Sequence, residues 1–208
     1  MKHLIWDMGG TLVDTYPDVV STLCLAAYGD TQPEHMRTTS ALTFHSTARA
    51  IETLAASCGV PQSRLERAYE DLKERWRTEP APAMDGAREL IDCVRQRGGL
   101  NLVATHRDRD SATILLTQLG LDVDDMICAP DGIERKPSPA MNLMLARRHG
   151  LAPLDVLCVG DRSIDAASGQ AAGMNSALLI RPGTVLTLNH AVPGTLIVAN
   201  LRDLIPFF

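Results

Sequence analysis

The spacing of apolar residues changes character twice along this chain. Residues 3–8 form a short apolar run with glycines just behind it, the pattern of a buried parallel strand. From Pro17 to about Arg77 the chain reads as helices only. "DVVSTLCLAAYG" and "TARAIETLAASCG" repeat apolar residues at helical spacing and stop at glycine. "PQSRLERAYEDLKERW" predicts a more polar helix with Pro61 near its start. The stretch "TEPAPA", residues 78–83, reads as a linker. Beyond it helix and strand alternate: "GARELIDCVRQRGG" then "LNLVAT", "RDSATILLTQLGL" then "DMICA", "PSPAMNLMLARRHG" then "DVLCVGD", and "IDAASGQAAGM" then "NSALLI". Alternation of this kind predicts an α/β fold, a doubly wound parallel sheet covered by helices on both faces. The helical block after the first strand then reads as an insertion, which divides the chain into a core of 1–14 and 83–208 and a helical domain of 15–82. The tail from Pro182 is less periodic, with one last short strand at "GTLIVAN".

Composition narrows the partners more than the fold. With 208 residues, 45% of them hydrophobic and 22% charged, the chain is long enough for a sizeable buried core. A net charge of −5 gives no reason to expect a nucleic-acid partner, and any phosphate site has to gain its positive charge locally. No apolar run approaches the roughly 20 residues that span a membrane, and the N-terminus reads as a strand rather than a signal peptide. Five scattered cysteines form no CxxC pair; Cys93, Cys128 and Cys158 lie in apolar segments and read as buried thiols. Reduced thiols point to the cytoplasm. Oligomeric state has no signature in the sequence.

In an open parallel sheet, ligands bind beyond the carboxyl ends of the strands. Four groups are predicted there: Asp7 after the first strand, Thr105 after "LNLVA", Lys136 in the loop after "MICAP", and Asp161 after "VLCVG", with Asp165 four residues further on. Taken singly, each has a plain alternative. Asp7 could cap a turn, Thr105 and Asp161 could cap the helices that follow, and Lys136 could be a solvated loop lysine. Their joint order along one rim is what suggests a site.

With these residues in place, the chain resembles the haloacid dehalogenase-like hydrolase superfamily, in its phosphatase branch with a helical cap inserted after the first strand, the phosphoglycolate phosphatase-like type. "WDMGGTLVD", "VATHRD", "ERKPSP" and "VGDRSIDAASGQAAGM" are similar to its four motifs, and the resemblance covers nearly the whole chain. It implies a Rossmann-like core and hydrolysis of a small phosphorylated metabolite. Asp7 would attack the phosphoryl group to form an aspartyl phosphate. Thr105 would hydrogen-bond a phosphoryl oxygen, and Lys136 would neutralise charge on Asp7 and the phosphate. Asp7, the Gly9 carbonyl, Asp161 and Asp165 would hold Mg²⁺. The backbone amides of the Gly9–Gly10–Thr11 turn would cradle the phosphate.

One position departs from the family pattern. The residue two after the nucleophile is normally an aspartate that protonates the leaving alcohol and then activates water; here it is Gly9. General acid–base catalysis is worth about 10²- to 10⁴-fold, so an impaired phosphatase remains open, least handicapped with leaving groups that are stable anions. The alternative is a non-catalytic phosphate-ligand-binding or interaction protein on the same fold. A phosphonate hydrolase would need a cap lysine, for which only Lys73 is offered, and a dehalogenase would not need both Asp161 and Asp165. His106 could relay the missing proton and Arg107 could bind a phosphate oxygen, or the two could be an exposed loop pair.

In the helical insertion, His45, Ser46 and Arg49 lie near a predicted helix start where an anionic substrate group could be met. Ser46 could equally be a helix cap and Arg49 a surface charge. Asp14 could be a hinge or cap residue as well as a ligand. His149 fits a helix C-terminus, and His3, His35 and His190 read as structural or exposed. The sequence does not name the metabolite.

Overall fold

The computed structural model describes residues 1–181 and 192–208, which divide into two compact units, Met1–Val13 with Pro82–Phe208, and Asp14–Ala81. The first unit carries a six-stranded sheet, all its pairings parallel, in the order β3-β2-β1-β4-β5-β6. Its strands are β1 (His3–Trp6), β2 (Asn101–Ala104), β3 (Asp125–Ile127), β4 (Val156–Gly160), β5 (Asn175–Leu179) and β6 (Leu196–Val198). The chain builds outward from β1 to β3, then returns to lay β4 on the other side of β1. That reversal puts the topological switch point between β1 and β4, where parallel sheets open a crevice at their carboxyl ends.

Both faces of the sheet are covered, as the near-continuous apolar strands require. Ile5, Leu102, Ala104 and Cys158 point to one face, where they cluster with Met141 and Leu145 of α7 (Ala140–Arg148). On the other face Trp6 is fully buried, and its indole Nε1 donates to Asn101 Oδ1 at 3.1 Å. The Asn101 amide nitrogen in turn donates to the Ile91 carbonyl of α5 (Ala87–Gln96). Asn101 is thus a polar residue inside an apolar strand with its side chain satisfied from strand and helix alike. Helices α6 (Arg109–Leu119) and α8 (Ser163–Ala171) complete the alternation, and a 3-10 turn at Leu201–Phe207 closes the chain.

The second unit holds four helices, α1 (Tyr16–Tyr28), α2 (Pro33–His45), α3 (Thr47–Cys58) and α4 (Gln62–Arg75). Leu23 of α1, Leu54 of α3 and Leu65 of α4 are fully buried, and the Trp76 indole donates to Asp18 Oδ2 at 2.7 Å. Helix α2 has no counterpart among the named sequence patterns, because the residues it buries are Thr39 and Thr43 rather than an apolar stripe. Thr43 satisfies its hydroxyl within the helix by donating to the Thr39 carbonyl.

Two expectations change. Cys93 is half-buried on the flank of α5, not a core thiol, whereas Cys128 and Cys158 are buried as expected; all five cysteines are free. His35 is stacked on Tyr28, with ring centroids 4.0 Å apart, and bonded to Asp30, so it has partners that the sequence concealed. His190 lies outside the described residues, and no helix among those described is long and apolar enough to cross a membrane.

Replacing Trp6 by Phe would remove the indole donor and strand the buried Asn101 oxygen. Urea unfolding is expected to show Trp6→Phe less stable by about 1–3 kcal/mol; an unchanged midpoint would show that the bond carries no weight.

Candidate active site

Strand register brings the candidate groups together. Trp6 is level with Val103 on β2 and with Val159 on β4, so Asp7, Thr105 and Asp161 emerge at the same rim. The Asp7 amide donates to the Val159 carbonyl and the Thr105 amide to the Ile127 carbonyl, which extends the ladder past each strand end. Gly160 closes β4 without a side chain for a steric reason. A Cβ there would lie 2.2 Å from the Asp165 Cβ, so glycine is what lets the Asp165 carboxyl group pack against the strand end.

Lys136 arrives from the loop between β3 and α7 with its ammonium buried. Nζ donates to Asp7 Oδ1 and to Asp165 Oδ1, both at 2.5 Å. The second Asp165 oxygen accepts the Arg162 amide at 3.1 Å, capping α8. The helix-cap duty that the sequence left open for Asp161 therefore falls to Asp165. Asp161 Oδ1 instead accepts from the Thr11 hydroxyl at 3.1 Å.

These charges are unequal partners. Burial pushes the Asp7 carboxyl above its ordinary value, and neighbouring Asp165 adds to this despite the Lys136 charge. Burial would raise Asp165 as well, but there the Lys136 and Arg162 charges prevail and hold it down. Burial alone would lower Lys136; the Asp165 and Asp7 charges outweigh it and keep the ammonium charged. Asp7, Asp161 and Asp165 are all buried and offer carboxylate oxygens within 4.8 Å of one another. Oxygen-only donors with charge in excess of the lysine's suit a hard divalent cation. Cys158, which lines a small pocket with Asp7, Lys136 and Asp165, is no competing nucleophile, because burial pushes its thiol up to about 12.

The turn after Asp7 corrects one expectation. The Gly10 amide donates to the Val13 carbonyl, and the Thr11, Leu12 and Val13 amides all turn to the Met8 carbonyl. Gly10 and Thr11 therefore do not offer amides to a phosphate; Gly10 is needed for its φ of 84°, and Thr11 for its hydrogen bond to Asp161. Among the described bonds, the Met8 and Gly9 amides are the ones the turn leaves over, and Met8 was not among the sequence candidates. Gly9 pairs with Val13 in an isolated bridge.

On β2's side of the rim, Thr105 Oγ1 accepts the Arg107 amide at 3.2 Å, which leaves its own proton available for donation. The Arg107 guanidinium donates to Ser111 Oγ. His106 is half-buried, and its Nε2 accepts the Lys136 backbone amide at 3.0 Å. It is neither an exposed loop residue nor free at that nitrogen. In the helical unit, His45 ends α2 and is exposed; Ser46 is the N-cap of α3, its hydroxyl oxygen accepting the Arg49 amide; Arg49 is exposed. Lys73 pairs with Glu70 at 2.7 Å, and His149 ends α7 bonded to Asp125.

Known proteins resemble this chain in sequence and fold. The profile of the haloacid dehalogenase-like hydrolase family matches residues 4–179, and the chain belongs to that family. A Xylella fastidiosa phosphoglycolate phosphatase is 30% identical over 86% of this chain and 80% of its own length. The N-acetylmuramic acid 6-phosphate phosphatase of Pseudomonas aeruginosa is 27% identical over 85% of this chain and 80% of its own. Among solved structures, a predicted phosphoglycolate phosphatase from Haemophilus somnus superposes with a TM-score of 0.82 at 18% identity, covering 100% of this chain and 97% of the other, which shows the shared fold.

The His106 environment gives a pH test. Burial, and then the Lys136 charge, drive its imidazole down to about 4, whereas an unfolded histidine titrates near 6.5. Between those values the unfolded chain binds the extra proton, so this group favours folding at neutral pH and its contribution is lost as pH falls from about 6.5 towards 4. Urea midpoints are expected to fall more steeply between pH 7 and 5 for wild type than for His106→Gln. Parallel curves would contradict the buried, neutral imidazole.

Proposed function

We propose that the protein is a Mg²⁺-dependent phosphomonoester hydrolase that works through an aspartyl phosphate on Asp7 and lacks the usual second carboxylate. The observation that carries this reading is the Lys136 ammonium fixed between Asp7 and Asp165, with Asp161 alongside. An Asp7 oxygen attacks phosphorus, the new O–P bond forms as the bond to the leaving oxygen breaks, and the electron pair departs with that oxygen. Lys136 holds Asp7 in place and offsets the charge that gathers on the phosphoryl oxygens. In this reading Thr105 donates its hydroxyl proton to one of those oxygens, and the Met8 and Gly9 amides are the backbone donors we assign to the others. Mg²⁺, when bound, would polarise the phosphoryl group and offset its charge. Asp7, Asp161 and the Gly9 carbonyl are the ligands we assign to it, with Asp165 supplying charge and orienting Lys136. Water then attacks phosphorus as the bond to Asp7 breaks, its proton passing to a phosphoryl oxygen or to solvent, and Asp7 leaves as a carboxylate.

Gly9 sets the limits of this chemistry. With no carboxyl group there, the leaving oxygen takes its proton from water or departs as a stable anion, which favours aryl and acyl phosphates over alkyl ones. The same glycine is the one observation that favours a second reading, a phosphate-ligand-binding protein that keeps the pocket without useful turnover. We take residues 15–82 as a cap that selects the substrate, with exposed His45 and Arg49 as the candidates to meet it and Ser46 committed to capping α3. The relatives' names point to small phosphorylated metabolites rather than to nucleic acid or membrane, and five free thiols suit the cytoplasm.

Phosphate release from an aryl phosphate is expected to require Mg²⁺ and to disappear in Asp7→Asn. Gly9→Asp is expected to raise the rate, by up to about 10²- to 10⁴-fold for a poor leaving group. A silent wild type awakened by Gly9→Asp would favour the binding reading. Activity surviving in Asp7→Asn would overturn the assignment of the nucleophile.

A further inference from the structure

The position after Thr105 and the loop that delivers Lys136 are far apart in sequence, yet they share a direct bond. The Lys136 backbone amide donates to His106 Nε2 at 3.0 Å. Two residues further along the same loop, the Ser138 carbonyl accepts from Ser168 Oγ, and Ser168 Oγ accepts from the buried Asn142 amide. The segment carrying the ammonium is therefore held at two points, by a helix-borne polar pair at Ser138 and by a single imidazole at Lys136 itself.

Resting on the reading of Asp7 and Lys136 given above, we propose that His106 is a positioning residue: its Nε2 holds the Lys136 backbone where the ammonium reaches both Asp7 and Asp165, and it does not supply the proton that Gly9 cannot. An imidazole that accepts at Nε2 carries its proton at Nδ1. Serving as an acid from Nε2 would set an N–H against the Lys136 N–H and break the bond that holds the loop. The buried, neutral state of the ring agrees with this assignment. Displacing a charge by about 1 Å at a reacting centre can cost about 10²-fold. The Ser138 anchor would remain, so a partial loss is the expected outcome.

Glutamine separates the two roles. Its Oε1 can replace Nε2 as an acceptor, but it cannot shuttle a proton. Aryl phosphate hydrolysis with Mg²⁺, followed from pH 5 to 9, is to be compared for wild type, His106→Gln and His106→Ala, with thermal unfolding to establish that each variant is folded. His106→Ala is expected to lose about 10- to 100-fold in kcat with a smaller change in KM. His106→Gln is expected to stay within a few-fold of wild type, and the shape of the pH profile is expected to be the same in all three. Equal losses in Gln and Ala with a missing limb in the pH profile would overturn the proposal in favour of proton relay. Full activity in His106→Ala would overturn it outright.

Amide hydrogen exchange at Lys136, read by NMR, tests the same bond without turnover. Protection is expected in wild type and His106→Gln and is expected to be lost in His106→Ala. Unchanged protection in His106→Ala would overturn the proposal. Should wild type prove inactive, the hydrolase reading fails by that result alone, while the exchange data still decide whether His106 holds the loop.

Discussion

The candidate site depends on one buried cation held between two carboxylates. Lys136 reaches Asp7 and Asp165 at the same distance, and neither carboxylate would be tolerable in the interior without it. The arrangement is electrostatically incomplete, since Asp7, Asp165 and nearby Asp161 outnumber the lysine. Such an imbalance is costly in a resting fold and useful in one that receives a divalent cation with an anionic ligand. Much of the local structure follows from it. Gly160 leaves space for Asp165, Thr11 steadies Asp161, and His106 holds the backbone from which Lys136 extends.

The scaffold explains why these groups meet at all. A parallel sheet whose order reverses between β1 and β4 brings two strand ends with acidic successors side by side, and the loop after β3 only has to cross β2 to bring the lysine. None of the five site side chains lies close to more than one other in sequence. Geometry at the rim is thus a property of sheet register, and the register is fixed by strands buried on both faces, where a slip would displace every core side chain.

Sequence patterning made the sheet legible because alternating apolar strands and amphipathic helices leave a periodic trace. The positions of Asp7, Thr105, Lys136, Asp161 and Asp165 were legible for the same reason, since each follows a recognisable strand. Hydrogen-bond direction was not. Whether the Gly10 amide faces a ligand or the Val13 carbonyl depends on one φ angle, and composition does not reveal it. Nor does local sequence indicate that His106 serves a residue thirty positions away. Helix α2 escaped notice because threonines, with no apolar period, fill its buried face.

In the function proposed above, Gly9 offers no second carboxylate, which makes the identity of the reacting carboxylate the central claim. A crystal structure grown with Mg²⁺ and beryllium trifluoride, which mimics a phosphoryl group on a carboxylate, addresses that claim directly. Beryllium is expected to be bonded to an Asp7 oxygen, with the cation shared by Asp7 and Asp161 and with Lys136 against the same group. A trifluoride bound elsewhere, or a site that stays free of metal at millimolar Mg²⁺, would contradict it.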